Sequence, residues 1–151
     1  MVGVVGNDGG AVSTSSASGA GNGSDYDFGG VVGDNYGTVS SCSASGGVNA
    51  TGSNRVGGLV GVNYQTVSNS SASGAVTGSD AVGGLVGVNR RGTVSNSSAC
   101  DAVDGAADGG RAVGVNYAAV SHPSPGCSLD CAAQVSAVCV TYARAASNTA
   151  A

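Results

Sequence analysis

The chain holds few residues that could carry acid–base or nucleophilic chemistry. His122 is the only histidine, and in the repeat described below it shares a column with the polar turn residues Thr14, Ser41, Asn69 and Asn96. No serine lies between glycines at the −2 and +2 positions, so there is no nucleophile elbow. There is no lysine to complete a phosphate-binding loop or form a Schiff base. We therefore predict no catalytic residue, no organic cofactor and no enzymatic activity.

Two groups of aspartates supply oxygen atoms that calcium could bind. One group is Asp25 and Asp27, and the other is Asp101, Asp104 and Asp108. Neither group follows the spacing of an EF-hand loop or of a calcium-binding nonapeptide repeat. Both fall between predicted strands, where aspartate is an ordinary turn residue. The sequence thus favours turns over metal ligation, and calcium is the single cofactor that it leaves open.

Asparagines in acceptor sequons offer a second kind of chemistry, the attachment of N-linked glycans. The four sequons begin at Asn22, Asn49, Asn69 and Asn96. All four fall on predicted corners between strands, which a glycan-transferring enzyme can reach. We predict these asparagines as glycosylation sites in a host that has the machinery.

The five cysteines divide by their place in the repeat. Cys42 and Cys100 are two coils apart, beyond the ~7 Å separation of Cα atoms that a disulfide spans. Cys127 lies one coil from Cys100 in a neighbouring column, and this pairing would leave Cys131 and Cys139 for each other. We predict a disulfide-stapled cap of an extracellular protein, with buried free thiols as the alternative.

An internal repeat must position all of these residues. The string Gly-Gly-Leu-Val-Gly-Val-Asn occurs twice, and weaker copies precede and follow it. The five copies are found at 2–8, 29–35, 57–63, 83–89 and 110–116. Their successive spacings are 27, 28, 26 and 27 residues. Length changes of one residue fall between the repeated columns, as stacked coils require.

Residues of one type recur at the same position of each unit. One column contains the valines Val5, Val32, Val60, Val86 and Val113, and another contains the amides Asn35, Asn63, Asn89 and Asn116 after Asp8 at its start. We expect the valines to fill a narrow core. We expect the asparagines to form a structural ladder inside a turn. Val67 and Ala72 are five residues apart, which breaks the inward alternation and predicts a corner near Asn69–Ser71.

Composition excludes several classes of protein. The chain has 28 glycines, no tryptophan, no lysine and no glutamate, which argues against an all-α fold. Five arginines against nine aspartates give a net charge of −4, so a nucleic-acid partner is not expected. No apolar run approaches the ~18 residues of a membrane span. Because no signal peptide follows Met1, we expect a mature piece or a fragment if the protein is secreted.

These patterns predict an all-β, single-chain β-solenoid of about five coils of about 27 residues. The repeat domain is predicted over residues 1–121, and residues 122–151 form a C-terminal cap or junction segment. In that segment Cys131, Val135, Val138, Cys139 and Tyr142 follow helical spacing. We therefore predict a short capping helix, with a strand as the alternative, because residues 138–141 also alternate acceptably.

Val-Gly-Gly-Leu-Val-Gly-Val-Asn, followed by Thr-Val-Ser-Asn-Ser-Ser-Ala-Ser-Gly-Ala-Val-Thr-Gly-Ser, resembles the GLUG repeat. The likeness covers residues 2–121 and is strongest at 56–98. The leucine is lost in the first, second and fifth units, and the tail is unrelated. The resemblance implies a β-helical stalk of a bacterial surface or secreted protein of the adhesin type, without a catalytic domain.

The sequence therefore predicts a non-catalytic structural or adhesive solenoid, a subunit or stalk piece of an extracellular fibre. Val2–Val5 enters the repeat without a cap, which predicts either a cut from a longer stalk or head-to-tail contact with copies of itself. Glycans or a host surface are further expected partners. The alternative is an ice-binding solenoid, based on the serine column from Ser13 to Ser121. A polysaccharide-processing β-helix needs a cleft of acids or aromatics, which we do not expect from these columns.

Overall fold

The protein is a parallel β-solenoid, as seen in a computed structural model. The structure describes residues 5–24, 26–100, 102–105, 108–121 and 136–141. None of these residues lies in a helix, and strands of two to six residues alternate with turns and bends, apart from one strand of nine residues. The predicted all-β solenoid is confirmed, with four complete coils and part of a fifth in the described residues.

Each complete coil contains five short strands. In the first coil they are β1 (Val5–Asp8), β2 (Ala11–Ser13), β3 (Ser16–Ala17), β4 (Gly21–Asn22) and β5 (Asp27–Gly29). In the second coil they are β6 (Val32–Asn35), β7 (Thr38–Ser40), β8 (Ser43–Ala44), β9 (Val48–Asn49) and β10 (Arg55–Gly57). In the third coil they are β11 (Val60–Asn63), β12 (Thr66–Ser68), β13 (Ser71–Ala72), β14 (Val76–Gly78) and β15 (Ala81–Gly83).

The fourth coil passes into the fifth through one long strand. Its strands are β16 (Val86–Asn89), β17 (Thr93–Ser95), β18 (Ser98–Ala99), β19 (Val103–Gly105) and β20 (Asp108–Asn116). The fifth coil continues with β21 (Ala119–Ser121), and β22 (Ser136–Thr141) follows further along the chain. Because β20 pairs with both β15 and β16, it joins two runs of strands into one nine-stranded sheet.

Stacking places like residues over one another without a register shift between the repeated coils. Val60 pairs with Val32 on one side and with Val86 on the other, and all of these pairings are parallel. The remaining described strands form a five-stranded sheet and two four-stranded sheets. Parallel strands about 4.8 Å apart satisfy the backbone groups that a single coil would leave unpaired.

The predicted inward columns form the core. Val32, Val60, Val86 and Val113 are fully buried, and Val5 pairs in register with Val32. A second buried cluster joins strands β5, β10 and β15 to strands β9 and β14. It contains Phe28, Val56, Val82, Val48, Val76 and Ala50. The glycines beside the leucines permit close approach of the backbone, because a Cβ at Gly57 would meet the carbonyl oxygen of Val60.

The predicted corner after the second strand is confirmed by its backbone. Thr14, Ser41, Asn69 and Asn96 have φ values of 48°, 52°, 49° and 46°. These four residues occupy one column, so every complete coil turns at this point through a left-handed residue. Asparagine tolerates that conformation better than threonine, whose branched Cβ makes it costly.

The capping helix that we predicted is wrong over residues 136–141, because β22 is a strand. It pairs in parallel with β20, placing Val138 beside Val113, Val140 beside Val115 and Thr141 beside Asn116. Pairing with an open sheet edge satisfies backbone groups that a helix would leave exposed there. The helical spacing of Val138 and Cys139 is thus coincidental. Cys131, Val135 and Tyr142 lie outside the described residues.

Candidate functional site

The amide column forms a continuous hydrogen-bonded ladder. The Asn35 Nδ2 donates to Asn63 Oδ1 at 2.7 Å, Asn63 Nδ2 to Asn89 Oδ1 at 2.9 Å, and Asn89 Nδ2 to Asn116 Oδ1 at 2.9 Å. All four side chains are fully buried. The same amides also bind local backbone, as when Gly37 N donates to Asn35 Oδ1 at 3.0 Å. The predicted structural ladder is confirmed.

Asp8 opens this ladder with a carboxyl group in place of an amide. Gly10 N, two residues further along the chain, donates to Asp8 Oδ1 at 2.9 Å. Gly37 N donates to Asn35 Oδ1 in the same way. The other oxygen of Asp8, Oδ2, is buried and has no hydrogen-bond partner. Since Asp8 pairs in register with Asn35, Oδ2 occupies the place of the Nδ2 that donates along the column. The first step of the ladder is therefore missing.

The five-stranded sheet carries hydroxyl groups on its outer face. Val39, Val67 and Val94 point into the core, so the residues on either side of each point outward. Thr38, Thr66 and Thr93 are paired in register, and so are Ser40, Ser68 and Ser95. The serine column was expected. The threonine column beside it was not recognised, although Thr-Val-Ser recurs in three units.

The predicted glycosylation sites are exposed. Asn69 and Asn96 lie at the left-handed corner, as predicted. The corner position predicted for Asn22 and Asn49 is wrong, because both lie in paired strands. All four side chains face solvent. Glycosylation at these positions stays a prediction.

The cysteines are in different chemical states. Cys100 takes part in a disulfide, whereas Cys42 is free and buried. Cys127, the predicted partner of Cys100, lies outside the described residues, and so do Cys131 and the side chain of Cys139. The pairs Cys100–Cys127 and Cys131–Cys139 therefore stay predictions. Cys42 Sγ donates to Ser40 O at 3.2 Å.

Cys42 occupies a serine column. In the next coil, Ser70 Oγ accepts from Cys42 N at 3.1 Å and donates to Ser68 O at 2.8 Å. Ser97 repeats this arrangement with Ser70 N and Ser95 O. The thiol of Cys42 thus replaces a hydroxyl that ties the corner to the preceding strand.

The first aspartate group includes an ion pair that the sequence did not predict. Arg55 Nη2 donates to Asp27 Oδ2 at 2.8 Å, and the two residues are register partners on adjacent coils. Burial, the charge of Asp34 and hydrogen bonding to Asp34 raise the pKa of Asp27 to about 6, although Arg55 and Arg90 act in the opposite direction.

Calcium ligation stays untested. Asp25 and Asp101 lie outside the described residues. The position between strands predicted for the other three aspartates is wrong, because Asp27, Asp104 and Asp108 lie in β5, β19 and β20. Among the residues that are described, no three His, Cys, Asp or Glu side chains are grouped as metal ligands would be. His122 also lies outside this part of the chain.

One outward column follows the asparagine ladder and was missed by the sequence analysis. The residues directly after the asparagines are Tyr36, Tyr64, Arg90 and Tyr117. The rings of Tyr36 and Tyr64 stack with centroids 4.4 Å apart and planes 6° from parallel. Tyrosine directly after Val-Asn or Asp-Asn in three units was the signal that could have revealed this column.

These features define the class of the protein as a parallel β-solenoid with an internal asparagine ladder. Residues 52–77, one coil from the corner before β10 into β14, match the family model of the GLUG motif, a repeat motif of β-helical bacterial proteins. The chain thus carries a GLUG motif, in the part where the resemblance was strongest. No curated protein and no solved structure is detectably similar to the chain. Within the described residues, no helix is long and apolar enough to cross a membrane.

Proposed function

We propose that this chain is a non-catalytic structural solenoid, a stalk piece or subunit of an extracellular fibre. The observation that carries the proposal is the unbroken stacking of strands through the four complete coils, with the buried asparagine ladder running alongside. Each coil contacts its neighbours through backbone bonds and identical side chains, so length is gained by repetition. The disulfide of Cys100 supports an oxidising, extracellular location.

Head-to-tail contact between copies is part of this proposal. A parallel solenoid presents an open strand edge at each end unless another element covers it, and an edge of that kind templates further strands. At the trailing end β22 lies on β20, so β22 supplies the trailing edge of the nine-stranded sheet. Contact between the β1 edge of one copy and this edge of the next does not close, so it produces a filament. A net charge of −4 gives little repulsion between copies.

Electron microscopy and fibre diffraction of the purified chain test this proposal. We expect filaments of uniform width, with a meridional reflection at about 4.8 Å from stacked coils. A charged helix fused before Met1 is the control, because it is designed to cover the β1 edge and should abolish filaments while the solenoid stays folded in circular dichroism. A chain that stays monomeric at high concentration contradicts self-assembly. Filaments that persist in the fusion contradict the axial contact.

Ice binding is a second candidate, favoured by the paired hydroxyl columns. Threonine and serine at alternate positions of three adjacent strands give a regular two-dimensional array of hydroxyl groups. Such an array can hold water in an ordered layer. Thermal hysteresis and ice recrystallisation assays test this function directly.

A matched pair of variants separates an ice-binding face from a general effect. Thr66→Tyr places a bulky ring in the array, whereas Ser73→Tyr places the same ring at an exposed position outside it. Ice-binding activity should fall in Thr66→Tyr and persist in Ser73→Tyr. Absence of thermal hysteresis in the parent chain refutes this candidate.

A further inference from the structure

A groove runs beside the tyrosine and arginine column on the outer face of the solenoid. Its floor is formed by Val88 and Val115, which pack with Val62 and Ala81 in a small cluster apart from the main core and are 3% and 6% exposed. Its volume is about 190 Å³. That is below the ~300–1,000 Å³ of sites for drug-sized ligands, so one small ring is the size that fits.

Two walls of the groove cover Val88 and Val115. The strand run that contains Arg55, Asp80 and Ala81 forms one wall of the groove. The column of Arg90 and Tyr117 forms the other wall, two residues beyond each floor valine. Apolar floor and polar walls therefore face one another across a space that is open to solvent.

The polar groups on the walls differ in how far they are already neutralised. Arg55 is paired with Asp27. Within the described part of the chain, the Arg90 side chain is exposed and makes no ion pair or side-chain hydrogen bond, although its charge is near enough to Asp27 to lower the pKa of that carboxyl. Asp80 is exposed on the opposite wall and supplies acceptor oxygens. The groove thus offers a guanidinium for an anion and a carboxylate for hydroxyl groups.

We propose that this groove binds a carboxylated pyranose, a uronate residue of an acidic glycan. The sugar ring packs against the half-exposed ring of Tyr117, above the small edges of Val88 and Val115 that reach the groove. The sugar carboxylate pairs with Arg90, whose planar fork matches two carboxylate oxygens. Ring hydroxyls donate to Asp80.

Charge along the groove places the ligand over the fourth and fifth coils. In the column of the floor valines, the second coil has Asp34 where the third coil has Val62, followed by Val88 and Val115. Asp27 lies in the same region, close enough to Asp34 to raise its pKa. The Asp34 carboxylate repels an anion at the second coil, whereas Arg90, two coils from Asp34, attracts it at the fourth coil even though its charge also reaches Asp27.

Titration by nuclear magnetic resonance tests the proposal with trigalacturonate and its methyl ester as probes. The ester keeps the ring and removes the charge. A site for one ring gives a Kd of about 1 mM for the acid, and we expect binding of the ester to be at least tenfold weaker. Arg90→Gln should weaken binding of the acid tenfold or more and leave the ester unaffected.

Arg91→Gln is the matched control, because Arg91 is the exposed neighbour of Arg90 and does not line the groove. This variant should bind the acid as the parent does. Equal losses in the two variants would show attraction by surface charge alone and overturn the proposal. No binding of the acid at 20-fold the expected Kd, or equal binding of acid and ester, would also overturn it.

The groove does not depend on the fibre role. Filament formation is measured without a sugar, and sugar binding is measured on the chain below the concentration at which filaments form. Loss of one result leaves the other intact, so failure of the glycan site is distinguishable from failure of the structural proposal.

Discussion

Replacing Asp8 by asparagine should stabilise the solenoid, although most substitutions at buried positions destabilise. The carboxyl oxygen Oδ2 of Asp8 is buried without a partner. Asp8 is the register partner of Asn35, whose Oδ1 is the acceptor that an amide at position 8 would reach. An amide at this position supplies the missing donor and completes the ladder. It also keeps the bond from Gly10 N to Oδ1.

The change in the free energy of unfolding follows from the hydrogen bond that the amide adds. A net hydrogen bond contributes about 0.5–1.5 kcal/mol, and an unsatisfied buried acceptor costs about 1–3 kcal/mol. We therefore expect Asp8→Asn to raise the free energy of unfolding by about 1–3 kcal/mol. The opposite exchange, Asn63→Asp, turns two donated bonds of 2.9 and 3.1 Å into contacts between oxygens. It should destabilise by about 3 kcal/mol or more.

Urea unfolding and amide hydrogen exchange measure this effect. Because each coil is coupled mainly to its neighbours, protection should rise most in the first two coils. Asp104→Asn is the control, since it makes the same charge change at an exposed side chain. If Asp8→Asn is no more stable than this control, Asp8 does not interrupt the ladder and the reasoning fails.

Three further predictions concern the core, the corner and the acidic pair. Val60→Asp should unfold the chain in circular dichroism, because it buries a charge in an apolar column. Ser68→Asp on the outer face should change stability by no more than about 0.5 kcal/mol, and equal damage would contradict the assigned faces. Cys42→Ser should stay within about 1 kcal/mol of the parent in urea unfolding, since serine fills this place in neighbouring coils. The pKa of Asp27 is raised from 3.8 to about 6, so the protonated carboxyl stabilises the folded state. That contribution is fully present below pH 3.8 and is lost as the pH rises from there through 6. Thermal unfolding across this window should show that loss in the parent and not in Asp27→Asn.

Much of the fold could be predicted because like residues stack. A parallel solenoid repeats its side-chain environment every coil, so a buried position demands the same small residue each time. Val60 and Asn63 recur for this reason, one in the core and one in the ladder. The corner could also be predicted, because five residues separate Val67 from Ala72 and strand alternation cannot span that interval with both inward.

The strand β22 could not be predicted from its own residues. Val138, Cys139 and Val140 satisfy the period of a helix and that of a strand about equally well. Pairing with β20 decides between them, and this contact joins residues about 25 positions apart. The segment Val138–Thr141 also follows the Val-Gly-Val-Asn pattern only loosely, so it was not recognised as another copy of the strand. Tertiary context commonly overrides local preference in this way.

The groove was missed because Arg90, which gives it an exposed positive charge, interrupts a column of tyrosines and is not part of the repeat. Inside the solenoid a change in one coil disturbs both neighbours, so the columns of Val60 and Asn63 stay nearly constant. Outside it, Arg90 can replace a tyrosine without disturbing the strand to which it is attached. A solenoid therefore separates two kinds of column, those that build the stack and those that are free to vary on it. Any function beyond stacking is confined to the second kind, so we place the candidate glycan site where Arg90 replaces the tyrosine of its column, next to Tyr117, which keeps it.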